Sequence, residues 1–293
     1  MVHESKTLNF KPIELQDKEL FDQFFIKYPP LISEFTFTNL FCWRLSKGHE
    51  FALYNNHLII SFFDDRKFRR FYQPIGENPA DIMQKILLLF PESSFERVEK
   101  SIAEKINKEF IVEHDKNMDD YVYSINNLKL LVGDKYSAKR NFIKRFLHYN
   151  PKICVLDEDA VQSFLQLQEK WCNLKDCHSN KNTEAEHMAI KEALLNFKKL
   201  KFFGMCVYVN NNIEAFAIGE PLNENTFVEH FEKADARFTG IYQYLLNEFV
   251  KTIPERFTFI NREQDLDVEG IRKTKLSYHP FKFIEKYNIK KIK

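Results

Sequence analysis

The sequence contains little glycine and has no long apolar run. Of its 293 residues, 7 are glycine and 30 are phenylalanine, which predicts cores rich in aromatic side chains and few turns built on glycine. No apolar stretch approaches the roughly 20 residues of a transmembrane helix. Residues 1–6 also lack the apolar character of a signal peptide. We therefore expect a cytoplasmic protein without a transmembrane segment.

Cysteine and net charge are also scarce. The 5 cysteines are odd in number and scattered, with no Cys-x-x-Cys pair, so neither a zinc site nor a disulfide framework is predicted. Cys172, Cys177 and His178 are close in sequence, but surface thiols near a histidine are common, and we expect no metal. The 43 Lys and Arg residues nearly balance the 42 Asp and Glu residues, giving a net charge of +1. This balance excludes a general attraction for nucleic acid or acidic membranes and leaves only local patches.

One order of elements recurs along the chain. At about 150 residues a domain the length predicts two domains, which we place at residues 1–125 and 126–293. Antiparallel meanders are predicted at residues 51–54, 58–63 and 68–73 of the first half, and at 203–209, 213–219 and 227–232 of the second. Helices precede each meander, and further strands and helices follow it, including a helix at 102–110 and closing strands at 121–125 and 281–287. This α+β order resembles two GNAT-like acyltransferase domains in tandem, each a mostly antiparallel mixed sheet flanked by helices.

The segment at residues 261–278 places charge on a face that should be apolar. A helix is predicted at 268–277, and four side chains define one side of it: Val268, Ile271, Leu276 and Tyr278. Arg272 and Lys275 fall on the same side. The preceding loop supplies three carboxylates, those of Glu263, Asp265 and Asp267. Because buried cations need partners, the pattern predicts either an internal ion-pair network or a polar pocket at the end of a strand, where open α/β sheets bind ligands.

A second candidate lies where a strand leads into a helix. Residues 237–242 read Arg-x-x-Gly-x-Tyr, and a helix start of this kind offers free backbone N–H groups to an anion. The GNAT pyrophosphate pattern, Arg/Gln-x-x-Gly-x-Gly/Ala, is similar at Arg237 and Gly240. Tyr242 stands where a small residue is expected, which puts ordinary coenzyme A binding in question. The alternative is a plain helix cap.

Polar residues also interrupt the predicted central strand. Glu229, His230 and Glu232 lie where a covered strand is usually apolar throughout, so we expect them to face a cleft. A histidine flanked by carboxylates could act as a general base, or it could be a hydrogen-bonded structural residue.

The helix predicted at 134–149, like the segment at 261–278, carries cations on its apolar side. Lys135 and Lys139 share the side formed by its apolar residues, and Arg140 lies at the rim. These cations could bind substrate, or the two lysines could extend into solvent along their aliphatic stems.

Five motifs, in this order, resemble the phosphatidylglycerol lysyltransferase C-terminal domain family, in particular its stand-alone bacterial members. They are Glu34-Phe-Thr-Phe-Thr-Asn-Leu, Lys135-Tyr-x-x-Lys-Arg-Asn-x-Ile, Glu229-His-x-Glu-Lys-Ala-Asp, Asn261-Arg-Glu-x-Asp and Gly270-x-Arg-x-x-Lys-x-Ser-Tyr. The resemblance implies a tandem GNAT fold like that of the Fem-type peptidyltransferases. It also implies transfer of an aminoacyl group from aminoacyl-tRNA to a hydroxyl or amine acceptor, such as that of an anionic lipid.

The resemblance also implies roles for individual residues. Glu263 and Asp265 would orient the donor amine or the acceptor, while Arg272 and Lys275 would contact phosphate or the developing oxyanion. With His230 and Glu232, these are the candidate catalytic residues. The candidate substrate-binding residues are Lys135, Lys139, Arg140, Asn261 and Arg262. Arg237, Gly240 and Tyr242 are the candidates for binding a cofactor.

Three functions are consistent with these patterns. The first is an aminoacyltransferase that uses aminoacyl-tRNA, for which the only basic surfaces are local groups such as residues 135–145 and 282–293. The second is an N-acyltransferase that uses acyl-coenzyme A. The third is a GNAT-like module without catalytic activity that binds a small ligand or a partner protein, in which the inward charges are ion pairs alone.

Overall fold

The computed structural model describes residues 8–292, apart from the side chains of residues 158, 159, 174 and 175. Residues 1–6, which bear on the signal-peptide expectation, lie outside this range. Helices lie at α1 (Lys18–Lys27), α2 (Phe37–Lys47), α3 (Pro79–Leu89), α4 (Lys100–Ala103), α5 (Ile125–Leu130), α6 (Ser137–Phe146), α7 (Glu158–Lys175), α8 (Lys181–Leu195), α9 (Phe197–Leu200), α10 (Ile241–Thr252) and α11 (Glu269–Leu276). Among residues 8–292, no helix combines the length and apolar character needed to cross a membrane.

The strands form two sheets. In chain order they are β1 (Lys11–Pro12), β2 (Glu50–Tyr54), β3 (His57–Phe63), β4 (Arg69–Tyr72), β5 (Ser94–Glu99), β6 (Phe110–His114), β7 (Asp120–Ser124), β8 (Lys152–Val155), β9 (Phe203–Val209), β10 (Asn212–Pro221), β11 (Thr226–Ala234), β12 (Phe259–Asn261), β13 (Lys282–Ile284) and β14 (Lys286–Lys291). Within residues 8–292 each sheet has seven strands, in the orders β1-β2-β3-β4-β5-β14-β6 and β8-β9-β10-β11-β12-β7-β13.

Local sequence explains several element boundaries. The Thr36 side chain accepts a hydrogen bond from the Asn39 N–H at the start of α2, and Asp157 does the same for Ala160 at the start of α7. The tight turns β2–β3 and β9–β10 are asparagine pairs, at residues 55–56 and 210–211, in which both residues have positive φ. This is the conformation of the hairpin turn whose twist suits the flanking strands. The pairs β2–β3, β3–β4, β9–β10 and β10–β11 are all antiparallel, so the predicted meanders of both halves are confirmed.

The first compact unit comprises the described residues of Met1–Asp120, Gln264–Arg272 and Phe283–Lys293. Its core packs α3 against the sheet through side chains that include Ile86, Phe71, Phe95 and Ile289. The strands β4 and β5 are parallel, whereas β14 is antiparallel to both β5 and β6.

The second unit comprises Tyr121–Glu263 and Lys273–Lys282. Its core packs α10 and α6 against the sheet, with Phe249, Leu245, Phe146 and Val207 fully buried. The strands β11 and β12 are parallel, and β7 lies antiparallel beside β12. Relative to the expected division at residues 125 and 126, the units exchange segments near the end of each half.

The structure corrects some expected elements. The helix expected at 102–110 is one turn, α4, and β6 begins at Phe110. The strand expected at 281–287 is two strands that belong to different sheets. The strand at 121–125 lies in the second sheet and does not close the first, since sequence periodicity does not specify a strand's neighbour. Although no disulfide framework was predicted, one pair of cysteines, Cys172 and Cys177, is joined in a disulfide.

Candidate functional site

An irregularity in β11 determines which way its polar side chains point. Ile218 of β10 pairs with Phe231, and the next residue, Gly219, pairs with Glu229. His230 is therefore an extra residue, which makes a β-bulge. A Cβ on Gly219 would lie 2.3 Å from the carbonyl oxygen of Val228, so glycine is needed for this close approach. The bulge offsets the usual alternation of side chains between Glu229 and Glu232.

The parallel strands β11 and β12 separate beside this bulge. Their pairing ends at Val228 and Asn261, while β11 continues as far as Ala234. Arg262 is the first residue after β12, and its N–H donates to the carbonyl oxygen of Tyr121 over 2.9 Å. Its guanidinium donates from Nε to Glu229 and from Nη2 to Glu232. We refer to Arg262, Glu229 and Glu232 as the buried charge cluster.

The charge cluster has one more carboxylate than it has cations. Burial raises the pKa of Glu232, Arg262 opposes this effect and Glu229 adds to it, and the result is a pKa of about 7. Burial acts to lower the pKa of Arg262, but the two carboxylates raise it above its ordinary value. The Oε1 atom of Glu229 is buried and accepts no hydrogen bond from the described part of the chain. A buried acceptor in this state is costly, which makes it a candidate for a ligand contact.

Aromatic rings and a lysine lie beside the charge cluster. The Arg262 guanidinium is 5.7 Å from the ring centre of Tyr278 and 6.0 Å from that of Tyr123. Lys139 Nζ lies 4.1 Å from the Tyr278 ring centre and donates to Ser277 Oγ over 2.6 Å. Burial and the charge of Arg262 lower the pKa of Lys139. Of the expected substrate-binding residues, Lys139 and Arg262 are thus brought together.

His230 lies between two carboxylates. One ring nitrogen is 2.8 Å from Glu263 Oε1 and the other is 2.9 Å from Glu220 Oε1. Burial acts to lower the pKa of His230, but the two carboxylates raise it to about 9. The imidazole is therefore cationic at neutral pH and cannot accept a proton, so the geometry favours the structural alternative over a general base.

The cations of residues 261–278 form hydrogen bonds and ion pairs with other groups of the protein. Lys275 donates to the carbonyl oxygens of Arg262 and Glu263, the latter over 3.0 Å. In the first unit, Arg272 donates to both oxygens of Asp265, over 2.8 and 3.0 Å, and to Asp267 over 2.8 Å. These contacts match the ion-pair explanation for Arg272, while the catalytic roles of Glu263, Asp265, Arg272 and Lys275 stay predictions.

The expected orientation of this helix needs correction. Its aliphatic side chains are exposed, with relative exposures of 48% for Val268, 41% for Ile271 and 45% for Leu276. The inward placement of Arg272 and Lys275 agrees with the expectation, whereas the aliphatic residues expected on the same side do not face the protein. Here Arg272, Lys275 and Tyr278 make the inward contacts. Asn261 is fully buried, and its Oδ1 accepts a hydrogen bond from the Glu263 N–H.

The expected cofactor loop is occupied by the protein's own groups. Arg237 donates from Nε and Nη2 to the buried carboxylate of Asp235. Gly240 has φ +94°, and a Cβ there would lie 2.2 Å from the carbonyl oxygen of Phe142 in α6. The absence of a side chain at position 240 therefore allows α6 to pack against this loop. The Tyr242 hydroxyl donates to the carbonyl oxygen of Ala234 over 3.2 Å. These contacts favour the helix-cap alternative over a pyrophosphate site.

The remaining basic residues of α6 and the turn before it have separate roles. Arg140 donates to the carbonyl oxygens of Leu131 and Gly133, over 2.5 and 2.8 Å, and so caps the end of α5. Lys135 is exposed, with its Nζ 5.1 Å from the Tyr136 ring centre.

Sequence reasoning missed Tyr123 and Glu220. Glu220 lies one residue beyond the predicted strand 213–219, and Tyr123 was assigned to the first half of the chain. Glu229 and Glu232, three residues apart in one strand, were the available signal for a bulge, since such residues otherwise face opposite sides.

The fold and the comparisons agree on the class of protein. The two sheets have equivalent strand orders, and the protein is an α+β protein with two tandem GNAT-like domains. Residues 26–290 match the family described as phosphatidylglycerol lysyltransferase, C-terminal. The chain belongs to this family.

Three relatives show how far the similarity extends. A conserved protein of unknown function from Bacteroides thetaiotaomicron is 31% identical, with a TM-score of 0.91 over 98% of this chain and 100% of that chain. L-PGS from Bacillus licheniformis is 13% identical, with a TM-score of 0.68 over 98% of this chain and 94% of that chain. An uncharacterized protein from Mycoplasmoides gallisepticum is 27% identical over 199 residues, which is 65% of this chain and 61% of that relative's length.

Proposed function

We propose that the protein is an aminoacyltransferase that moves an aminoacyl group from aminoacyl-tRNA to a hydroxyl or amine acceptor, with the hydroxyl of an anionic lipid as the first acceptor to test. The family description names lysyl transfer to phosphatidylglycerol, and this supports both the reaction class and the lipid. The observation that carries the proposal is the buried charge cluster where β11 and β12 separate. It combines a carboxyl group of pKa about 7 with an unpaired carboxylate oxygen.

The cluster supplies a proton acceptor for the transfer. The acceptor oxygen or nitrogen attacks the ester carbonyl carbon and forms a new bond to it, while its proton passes to the Glu232 carboxylate. The bond between that carbon and the ribose oxygen of the tRNA then breaks. The ribose oxygen leaves with the proton returned by Glu232, so the enzyme ends as it began. A general base works best when its pKa is close to the working pH.

Two further groups would bind the developing charges. Glu229 Oε1 is the acceptor that we assign to the α-ammonium group of the donor amino acid, since it is buried and unpaired in the described chain. Arg262 is occupied by the two carboxylates. We therefore assign the oxyanion to Lys139, whose half-buried ammonium lies beside Arg262.

Acyl-coenzyme A is the less favoured donor. A pyrophosphate at residues 237–242 would meet the Asp235 carboxylate, which already binds Arg237, and the backbone of α6 packs against Gly240. The objection to acyl-coenzyme A comes from the filled loop and does not involve the charge cluster. Use of acyl-coenzyme A and use of aminoacyl-tRNA can therefore be tested separately.

The test is a transfer assay with the purified chain. Labelled aminoacyl-tRNA is mixed with phosphatidylglycerol vesicles, with phosphatidylcholine vesicles or with small hydroxyl and amine acceptors, and label in each acceptor is measured. We expect transfer by the wild type and a loss of about 100-fold or more in Glu232→Gln. Glu113→Gln, an exposed carboxylate of the first unit, is the matched control and should transfer normally.

Two results would overturn the proposal. One is equal transfer by wild type and a folded Glu232→Gln. The other is absence of transfer from aminoacyl-tRNA together with turnover of acetyl-coenzyme A by the same preparation, which would select the N-acyltransferase.

A further inference from the structure

The connection between α7 and α8 brings four metal-ligating side chains together. The sequence reads Cys172-x4-Cys177-His178-x8-His187. Cys172 is in the last turn of α7, and a short 3₁₀ turn at Cys177–Ser179 reverses the chain into α8. His187 lies in the second turn of α8, which runs back along α7. The spacing alone does not predict a metal site, because it is the hairpin of α7 and α8 that brings these side chains close together.

Three of the four side chains lie close enough together to converge on one ion once the disulfide is reduced and its sulfur atoms separate, and His178 lies beside them. The ligating atoms of Cys172, Cys177 and His187 all lie within 4.8 Å of one another. His178 Nε2 is 3.6 Å from Cys172 Sγ, and the rings of His178 and His187 have centres 5.7 Å apart. Two sulfur and two imidazole ligands in tetrahedral geometry are characteristic of zinc.

Burial and outer contacts also point to a ligand. Both cysteines are fully buried and His187 is 6% exposed. Gln168, itself 1% exposed, lies 3.3 Å from His187 Nδ1. Its buried Oε1 accepts no hydrogen bond from the described chain. A half-turn of this amide would let Oε1 accept from Nδ1–H, the usual outer contact of a metal-binding histidine. The other nitrogen, Nε2, now 3.4 Å from Glu169 Oε1, would then turn to the metal. Glu184 Oε1 lies 3.4 Å from His178 Nδ1 and can do the same for that ring.

We propose that Cys172, Cys177, His178 and His187 bind one zinc ion when the cysteines are reduced. Both thiols lose a proton as Zn²⁺ binds, and the two imidazoles bind as neutral ligands. The disulfide is the oxidised, metal-free form of the same pair. Reduction by a phosphine adds two electrons to the disulfide and two protons from water, and the phosphine takes the oxygen of that water. Because four protein ligands close the coordination sphere, the ion would fasten α7 to α8 and would not take part in transfer.

The experiment uses the full chain, reduced with a phosphine and freed of metal with a chelator. Cobalt is added first, since tetrahedral Co²⁺ with thiolate ligands has strong visible bands and a thiolate charge-transfer band in the near ultraviolet. Zinc should then displace it. We expect about one metal ion per chain, and loss of the charge-transfer band in Cys172→Ser. The control is Cys154→Ser, which changes a half-buried cysteine outside this cluster and should bind as the wild type does.

A variant of the exposed ligand tests metal binding without disturbing the fold. His178 is 57% exposed, so His178→Ala should keep the fold, and we expect it to bind cobalt at least about 10-fold more weakly. The proposal is overturned if the reduced wild type binds no cobalt. It is also overturned if His178→Ala and a folded Cys172→Ser bind as the wild type does. Neither readout depends on aminoacyl transfer, so the zinc site and the proposed function can fail separately.

Discussion

The buried guanidinium of Arg262 can balance one negative charge, yet it contacts two carboxylates. A second full charge in this apolar setting would be expensive, and the raised pKa of Glu232 reflects that cost. The group is thus divided between its acid and base forms near neutral pH. That division is useful for a residue that must accept a proton and later return it.

The transfer rate should depend on pH through Glu232. Because the carboxylate is the active form, we expect kcat/KM to rise as pH increases through about 7 and then to level off. In Glu232→Gln the residual rate should lack this rise. A pH–rate profile of both proteins, with a correction for spontaneous ester hydrolysis, measures the effect. A rise of the same size in the variant would assign the titration to another group.

Stability should depend on pH through His230. Its folded pKa of about 9 exceeds the ordinary value of 6.5, so the folded state binds the proton more tightly than the unfolded state does. This contribution is complete below pH 6.5 and is lost as pH rises towards 9, and the shift is worth roughly 3 kcal/mol. Urea unfolding at several pH values measures the loss. Glu220→Gln removes one of the two carboxylates and should make the loss smaller, and an unchanged loss would contradict the assignment.

At the scale of elements, packing against α6 fixes the loop before α10. Gly240 and Gly133 both have positive φ, +94° and +91°, but only Gly240 would place a Cβ against backbone, since Gly133 has open space around it. We expect Gly133→Ala to cost about 1–3 kcal/mol, because its backbone, with φ +91° and ψ 170°, lies in a region that essentially only glycine occupies. Gly240→Ala should cost clearly more, because α6 must also move. Chemical denaturation compares them, and equal costs would show that backbone conformation alone requires the glycine.

Most elements could be predicted from local sequence, and the candidate site only in part. Asparagine pairs specify the hairpins, and apolar periodicity specifies the long helices. The pattern Glu-His-x-Glu indicated a polar stretch in β11, and Arg262 was a candidate substrate-binding residue, but their contact was not predicted. The bulge that turns both carboxylates towards Arg262 depends on register with β10, which local sequence does not encode. The same limit explains why the aliphatic residues of α11 are exposed, because periodicity does not specify the partner.

At the scale of the whole molecule, each sheet contains a strand from the other half of the chain. In the first sheet β14 lies between β5 and β6, and in the second β7 lies between β12 and β13. Lys286 of β14 is fully buried, and its Nζ donates to Glu34 and Asp120 over 2.6 Å. Removing β14 would leave these two carboxylates without that cation, β6 without a partner strand and β5 with one open edge.

Fragments 1–125 and 126–293 should therefore be unstable when expressed separately. We expect each to lack a cooperative thermal transition, or to aggregate through its open sheet. A fragment of residues 1–125 fused by a flexible linker to residues 283–293 should recover folding, and the same fusion with Lys286→Met should recover it less well. Circular dichroism during heating distinguishes these outcomes, and a cooperative transition in the unfused fragment 1–125 would contradict the expectation.

The position of β14 also affects the order in which the protein can be made. Residues leave the ribosome from the N-terminus, and many domains complete their fold as they emerge. Here the first sheet lacks an internal strand until residues 286–291 have been synthesised. Its early strands must therefore wait through most of translation with an open edge, at which other chains can pair. The exchange of strands thus ties the completion of the first half to the synthesis of the second.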